Sequence, residues 1–179
     1  MQELLEILTA MAAQKEKVRD RRELLLDMAD RVVKTVSREF SCKSDEVAIL
    51  MLSTDGRHLR FVAPRAFADL GSIPVTKRDS IAVGVVSRRS GEVMNNVPMV
   101  KHVSFFESIK LRDRPAPIQK MVTAPLLVRG QAVGVAQISR KGDTPRDAGP
   151  DFTPADLRRA QEVLDSVAAY LAEARPAGY

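Results

Sequence analysis

The sequence predicts an α+β fold, an α/β/α sandwich around a central antiparallel sheet of about five to six strands. Long terminal helices lie on one face of that sheet and short helices on the other. Three observations carry the prediction. Both ends of the chain are helix-like, with apolar residues stepping by 3 and 4. The middle switches to strand-like runs separated by turn pairs such as Asp55-Gly56 and Arg129-Gly130. The runs around 47–52 and 121–142 are apolar on both faces, as in central strands with a roof on each side.

Residues 3–40 contain no Pro or Gly and are rich in Leu, Ala, Glu, Lys and Arg, which predicts one long helix. Its seam runs Leu4, Leu8, Met11, Val18, Leu25, Ala29, Val32, Val36, with Lys15 and Arg22 as polar members. A 3.5-residue repeat of this length is a coiled-coil or bundle signal. The second half is expected to pack on the sheet. The first is expected to project as a dimer coil.

"EVAILMLSTDG" is a strand ending in a turn. "RHLRFVAPRAF" returns with Leu59, Phe61 and Ala63 alternating against Arg60, and Pro64 marks a bulge or an edge. "SIPVTK" is a short extended piece. "RDSIAVGVVSRRSG" is a short helix with Asp79 or Ser80 as N-cap and Gly91 closing it. "EVMNNV" is a short strand, and a weak second helix spans about 99–111 before Pro115. "MVTAPLLVRGQAVGVAQISRKG" is the hairpin apolar on both faces. After a loop, "FTPADLRRAQEVLDSVAAYLAEARP" is a helix with Thr153 as N-cap and Pro154 at its first position. Its seam is Leu157, Ala160, Leu164, Val167, Leu171, Ala174.

Composition bounds the function. The 179 residues suit one domain with a helical extension, divided as 1–24 extension, 25–175 domain and 176–179 tail. Apolar residues are 45% and charged ones 28%, ordinary for a globular protein. Aromatics are only 4%, so a ligand pocket would be lined mainly by aliphatic and small side chains. The single cysteine, Cys42, excludes an intrachain disulfide framework and a cysteine-cluster metal site. No apolar run approaches the roughly 18 residues of a membrane span. The acidic, heptad-patterned start does not read as a signal peptide, so a cytoplasmic location is expected. The net charge of +5 is spread along the chain among acids, as in KEKVRDRRE, and nucleic acid is not an expected partner.

Three local patterns, in this order, resemble a GAF domain over about residues 25–174. They are the short helix and following strand "SIAVGVVSRRSGEVMNNV", the hairpin "MVTAPLLVRGQAVGVAQISRKG", and the closing helix "FTPADLRRAQEVLDSVAAYLAEAR". The family often carries Gly six residues before the closing Gly of the first short helix. Here Val85 holds that place, with Gly84 one earlier. The resemblance implies a small-molecule-sensing or regulatory module, with the ligand between the sheet and the short-helix layer. It also implies a homodimer that signals through its terminal helices to a separate output protein. The alternative is a dimeric interaction scaffold whose pocket is filled by its own side chains.

The residues narrow the chemistry. Covalent bilin attachment is disfavoured, because Cys42 lies between the first helix and the first strand. Free methionine-R-sulfoxide reductases of this family work through several cysteines, and one thiol cannot complete that cycle. The scattered Asn-Lys-Phe-Asp-Glu pattern of cyclic-nucleotide-binding relatives is partly matched by Asn95 or Asn96, Lys141, Phe152 and Asp156, with Leu157 in the glutamate place. Cyclic nucleotide is thus a minor reading, and the cofactor stays open. His58 and His102 lack metal-ligand spacing, which leaves haem and metal without support. Ser72, Ser80 and Ser104 lack a nucleophile motif, and the glycines are too scattered for a phosphate loop, so no enzymatic activity is expected. The expected pocket lining is Phe61 and Ala63 on the second strand, Ile81 and Ala82 on the first short helix, and Asn95 after it. Phe105, Phe106 and Ile109 on the second short helix complete it, with Thr123 and Gln137 on the hairpin. The last two are polar residues on otherwise apolar strands, as expected where a side chain meets a ligand or a buried water.

Overall fold

The computed structural model of the protein describes residues 1–14, 20–69, 71–99 and 116–179. The elements run α1 (Gln2–Ala13), α2 (Arg21–Glu39), β1 (Val47–Leu52), β2 (His58–Ala63), β3 (Ser72–Pro74), α3 (Ile81–Arg88), β4 (Glu92–Met94), β5 (Ile118–Val128), β6 (Gln131–Lys141) and α4 (Pro154–Ala174). Six strands form one antiparallel sheet in the order β3-β2-β1-β6-β5-β4. The expected fold class is therefore the observed one. Both edge strands are three residues long, which leaves little free edge for pairing with another chain.

The single helix expected over 3–40 is two helices. Asp20 has extended backbone, and its carboxylate accepts from the N–H groups of Arg22 and Glu23, so α2 starts afresh there. The first helix does not project as expected. It packs on α2 and α4, burying Leu4 and Leu8, and Thr9 Oγ1 lies 2.9 Å from Tyr170 Oη of α4. Two buried leucines contribute about 3–6 kcal/mol of transfer free energy to the docking of this twelve-residue helix. The seam pattern was real, but its partner is the chain's own helix pair. The seam residues Lys15 and Val18 lie outside the described residues.

Side chains of the central strands divide between the two faces of the sheet. Val47, Ile49 and Met51 of β1 join Val122, Ala124, Leu126, Ala136 and Ile138 in a core roofed by α1, α2 and α4. Ala48, Leu50, Leu59, Phe61, Ile73 and Val135 face the other way and cluster with Ala82, Val83 and Val85 of α3. The double roof explains why the central strands are apolar on both faces. The second short helix expected near 99–111 falls almost wholly outside the described residues, so α3 is the described helix of this layer.

Local chemistry sets the boundaries. Thr153 and Asp156 form a reciprocal capping box at the start of α4, with Pro154 at its first position. Arg129 and Gly130 both take positive φ (51° and 74°), the turn that joins β5 to β6. Ser80 caps α3, accepting from Val83 N–H. Gly91 was expected to close that helix, but the left-handed residue is Arg89, at φ 54°. Gly91 is small for a different reason: a Cβ there would sit 2.8 Å from Thr123 O and 2.6 Å from Leu157 Cδ1.

Candidate functional site

On the α3 face, four directly opposed residues form a row across four strands. Glu92 of β4 faces Thr123 of β5, Thr123 faces Gln137 of β6, and Gln137 faces Ala48 of β1. The neighbouring rows on this face, about 7 Å to either side, are largely apolar. One is Met94, Met121 and Ser139; the other is Pro125, Val135, Leu50 and Phe61. A polar row is thus set into an apolar surface, beside α3, which packs on β5 and β6.

Thr123 is 1% exposed and Gln137 5%. Gln137 Nε2 lies 3.5 Å from Thr123 Oγ1, at the outer limit for a hydrogen bond. Among the described residues, Gln137 Oε1 is buried with no hydrogen-bond partner. At the β4 end of the row, Glu92 is closed by Arg88, four residues earlier on α3, at 3.0 Å. Ser139, in the next row, donates to Glu46 O at 2.9 Å and is fully accounted for.

The expected lining residues divide. Phe61, Ala82, Thr123 and Gln137 share the α3 face, and Ile81 is half-buried in the first turn of α3. Phe61 also packs edge-on against Phe67, with centroids 5.7 Å apart. Ala63 is on the other side of the sheet: it faces Ile49 and joins the core under α1, α2 and α4. The reason is a bulge. Ile49 pairs with Ala63 and Leu50 with Phe61, so Val62 is an extra residue and the alternation through Phe61 and Ala63 is broken. Asn95 is committed elsewhere. Its Nδ2 donates to Phe152 O and its Oδ1 accepts from Phe152 N–H, both at 2.9 Å, clamping the entry to α4. Phe105, Phe106 and Ile109 lie outside the described residues, as do His102 and Ser104.

Lys141, Phe152 and Asp156 of the partial cyclic-nucleotide pattern are also engaged in holding the fold. Lys141 Nζ donates to Asp45 O and Oδ2, at 2.7 and 2.8 Å. The Phe152 ring is buried beneath the Arg140 guanidinium, 4.6 Å away, and Asp156 belongs to the capping box. Cys42 is half-buried, and burial followed by the charge of Glu46 pushes its thiol up to about 11. Among the described residues no group of His, Cys, Asp and Glu is arranged to hold a metal ion.

Sequence reasoning missed Glu92 and Met121 as members of this face. No local signal could have found them: Glu92 lies on a strand beyond the end of α3, and which face β4 presents depends on its pairing with β5.

Comparison with known proteins bears on the whole arrangement. The family model described as GAF domain matches residues 24–171. No curated protein matches the chain significantly. Solved structures do. The GAF domain of an Acinetobacter phosphoenolpyruvate-protein phosphotransferase is 16% identical with a TM-score of 0.62, over 98% of this chain and 96% of that one. The corresponding GAF domain from Coxiella burnetii is 11% identical with a TM-score of 0.64, over 96% and 94%. Residues 122 to 287 of a methyl-accepting chemotaxis protein are 17% identical with a TM-score of 0.62, over 92% and 96%. At these identities the likeness is one of fold. Among the described residues no helix is long and apolar enough to cross a membrane.

Proposed function

The chain belongs to the GAF domain family, and from that premise we propose that it is a non-enzymatic sensory or regulatory module that binds a small molecule on the α3 face of its sheet. One observation supports the reading: the buried Thr123–Gln137 pair, with Gln137 Oε1 left without a partner among the described residues. An unmet buried amide oxygen costs about 1–3 kcal/mol, a cost that an apolar side chain would avoid. Its retention in an otherwise apolar layer makes sense if a ligand meets it. Ligand binding would move α3 relative to the sheet, and the movement would pass through the helices on the far face to a partner. Such coupling requires that the ligand favour one of two states. The module is proposed to be cytoplasmic and homodimeric through its terminal helices. Ile7 of α1 stays only half-buried and outside the chain's own core after Leu4 and Leu8 are buried, which supports a helix-mediated contact.

A second reading has its own support. Over β1, β2 and β3 the α3 face is filled by the chain's own side chains, Leu59, Phe61, Phe67, Ile73, Val83 and Val85 among them. A dimeric scaffold that binds no ligand would look like this across the whole face. Native mass spectrometry of freshly purified protein, with a denatured control, separates the two. A dimer carrying a mass that denaturation releases supports the sensor. A clean dimer favours the scaffold, and a monomer removes helix-coupled signalling.

A further inference from the structure

We propose that the ligand of this site is an uncharged molecule presenting an amide-type edge, a carbonyl beside an N–H, to Gln137 and Thr123. The inference rests on the α3-face binding reading and adds the chemical class. The row Glu92, Thr123, Gln137 and Ala48 supplies three kinds of group. Its one ionised member, Glu92, is already matched by Arg88 at 3.0 Å. No unmatched charge is left on the row, so a carboxylate or phosphate brought there would be buried without a counter-ion. Thr123 and Gln137 offer neutral hydrogen-bonding groups only.

Those groups are complementary to an amide. The Gln137 carboxamide has an acceptor with no partner among the described residues, Oε1, next to a donor, Nε2, whose bond to Thr123 Oγ1 is stretched to 3.5 Å. The Thr123 hydroxyl is both donor and acceptor. Their Cβ atoms are those of directly opposed residues, about 5 Å apart, so one planar group can reach both side chains. A ligand N–H would donate to Gln137 Oε1, and the ligand carbonyl would accept from Nε2 or from the Thr123 hydroxyl. Exchanging the ends of the Gln137 carboxamide leaves an unmet N–H in place of an unmet oxygen, and an amide edge answers either. Met121 in the flanking row favours an apolar body behind that edge.

The test uses benzamide and δ-valerolactam as probes, with benzoate and toluene as matched controls, against the full chain followed by NMR. Benzamide and δ-valerolactam are expected to shift signals from α3, Thr123 and Gln137, and benzoate is not. Gln137→Leu should weaken benzamide at least tenfold while leaving toluene unchanged. It should also raise the melting temperature of the ligand-free protein by about 2–4 °C, because it removes an unmet buried amide. An amide kept for structure would lower it. Thr123→Val gives an independent variant with the same expected loss of benzamide binding. Equal binding of benzoate and benzamide, or unchanged benzamide binding in both variants, overturns the amide assignment. If toluene still binds beside α3 in that case, the binding site stands without it. If none of the four probes shifts α3 or β6, the binding reading falls as well.

Discussion

Replacing Asn95 by alanine tests whether that residue holds the fold or a ligand. In the structure its amide makes two 2.9 Å hydrogen bonds to the backbone of Phe152, whose side chain is 2% exposed. Alanine would strand one N–H and one C=O beside a buried ring. Partly buried backbone groups left unmet cost about 1–2 kcal/mol each, or about 2–4 kcal/mol together. For a chain of this size each kcal/mol moves the melting temperature by about 2–4 °C, so Asn95→Ala should melt about 5–15 °C lower. The assay is a thermal melt of ligand-free protein followed by circular dichroism. Asn95→Asp should fall between the two: its carboxylate still accepts from Phe152 N–H but opposes Phe152 O. Relative to the parent, that variant should recover part of its loss at pH 4, where a protonated carboxyl can donate again. A melt of Asn95→Ala within about 1 °C of the parent would refute the clamp and return Asn95 to the ligand.

Three further outcomes follow from the same structure. Leu8→Ala should cost about 2–5 kcal/mol, because Leu8 is fully buried between α1 and its neighbours; a dilute-sample melt unchanged from the parent would mean that α1 does not dock on its own chain. The Asp156 carboxyl sits below its ordinary 3.8: burial pushes it up, but bonds from the Thr153 N–H and hydroxyl, with the Arg159 charge, outweigh burial. The stability it supplies is full above the ordinary carboxylate value and is lost as pH falls through the lowered one. The melting temperature of Asp156→Asn should therefore fall less steeply below pH 4 than that of the parent, and parallel curves would sink the assignment. The Cys42 thiol, raised from 9.0 to about 11, carries about 100-fold less thiolate at pH 8 than an unperturbed one. Iodoacetamide should label it correspondingly more slowly in the folded chain than in urea, and equal rates would contradict the burial.

Much of the fold was legible because local and global signals agreed. Thr153 and Pro154 announce α4, Arg129-Gly130 announces the hairpin, and the two-faced apolar runs announce a double roof. What was not legible depended on partners distant in sequence. Asn95 meets Phe152, 57 residues away. The α1 seam would look the same whether it met another chain or its own α4. Ala63 was placed by counting in twos from Phe61, and only the pairing with Ile49 reveals the extra residue.

A second bulge creates the candidate site itself. A two-residue turn at Arg129-Gly130 pairs Val128 with Gln131 and Leu127 with Ala132. Continued without a slip, that register would set Thr123 opposite Ala136 and Val122 opposite Gln137. The two polar side chains would then point to opposite faces of the sheet. Instead Leu126 pairs with Gly134, Val133 is the extra residue, and Thr123 comes to face Gln137. Gly134 permits this: a Cβ there would lie 2.4 Å from Leu50 O, so β1 can approach β6 at the bulge only if that position is glycine. Each polar residue alone could be read as an irregularity in an apolar strand. The bulge at Val133 and the glycine beside it bring both onto the α3 face, opposite each other, which is how bulges re-aim side chains at sites of function.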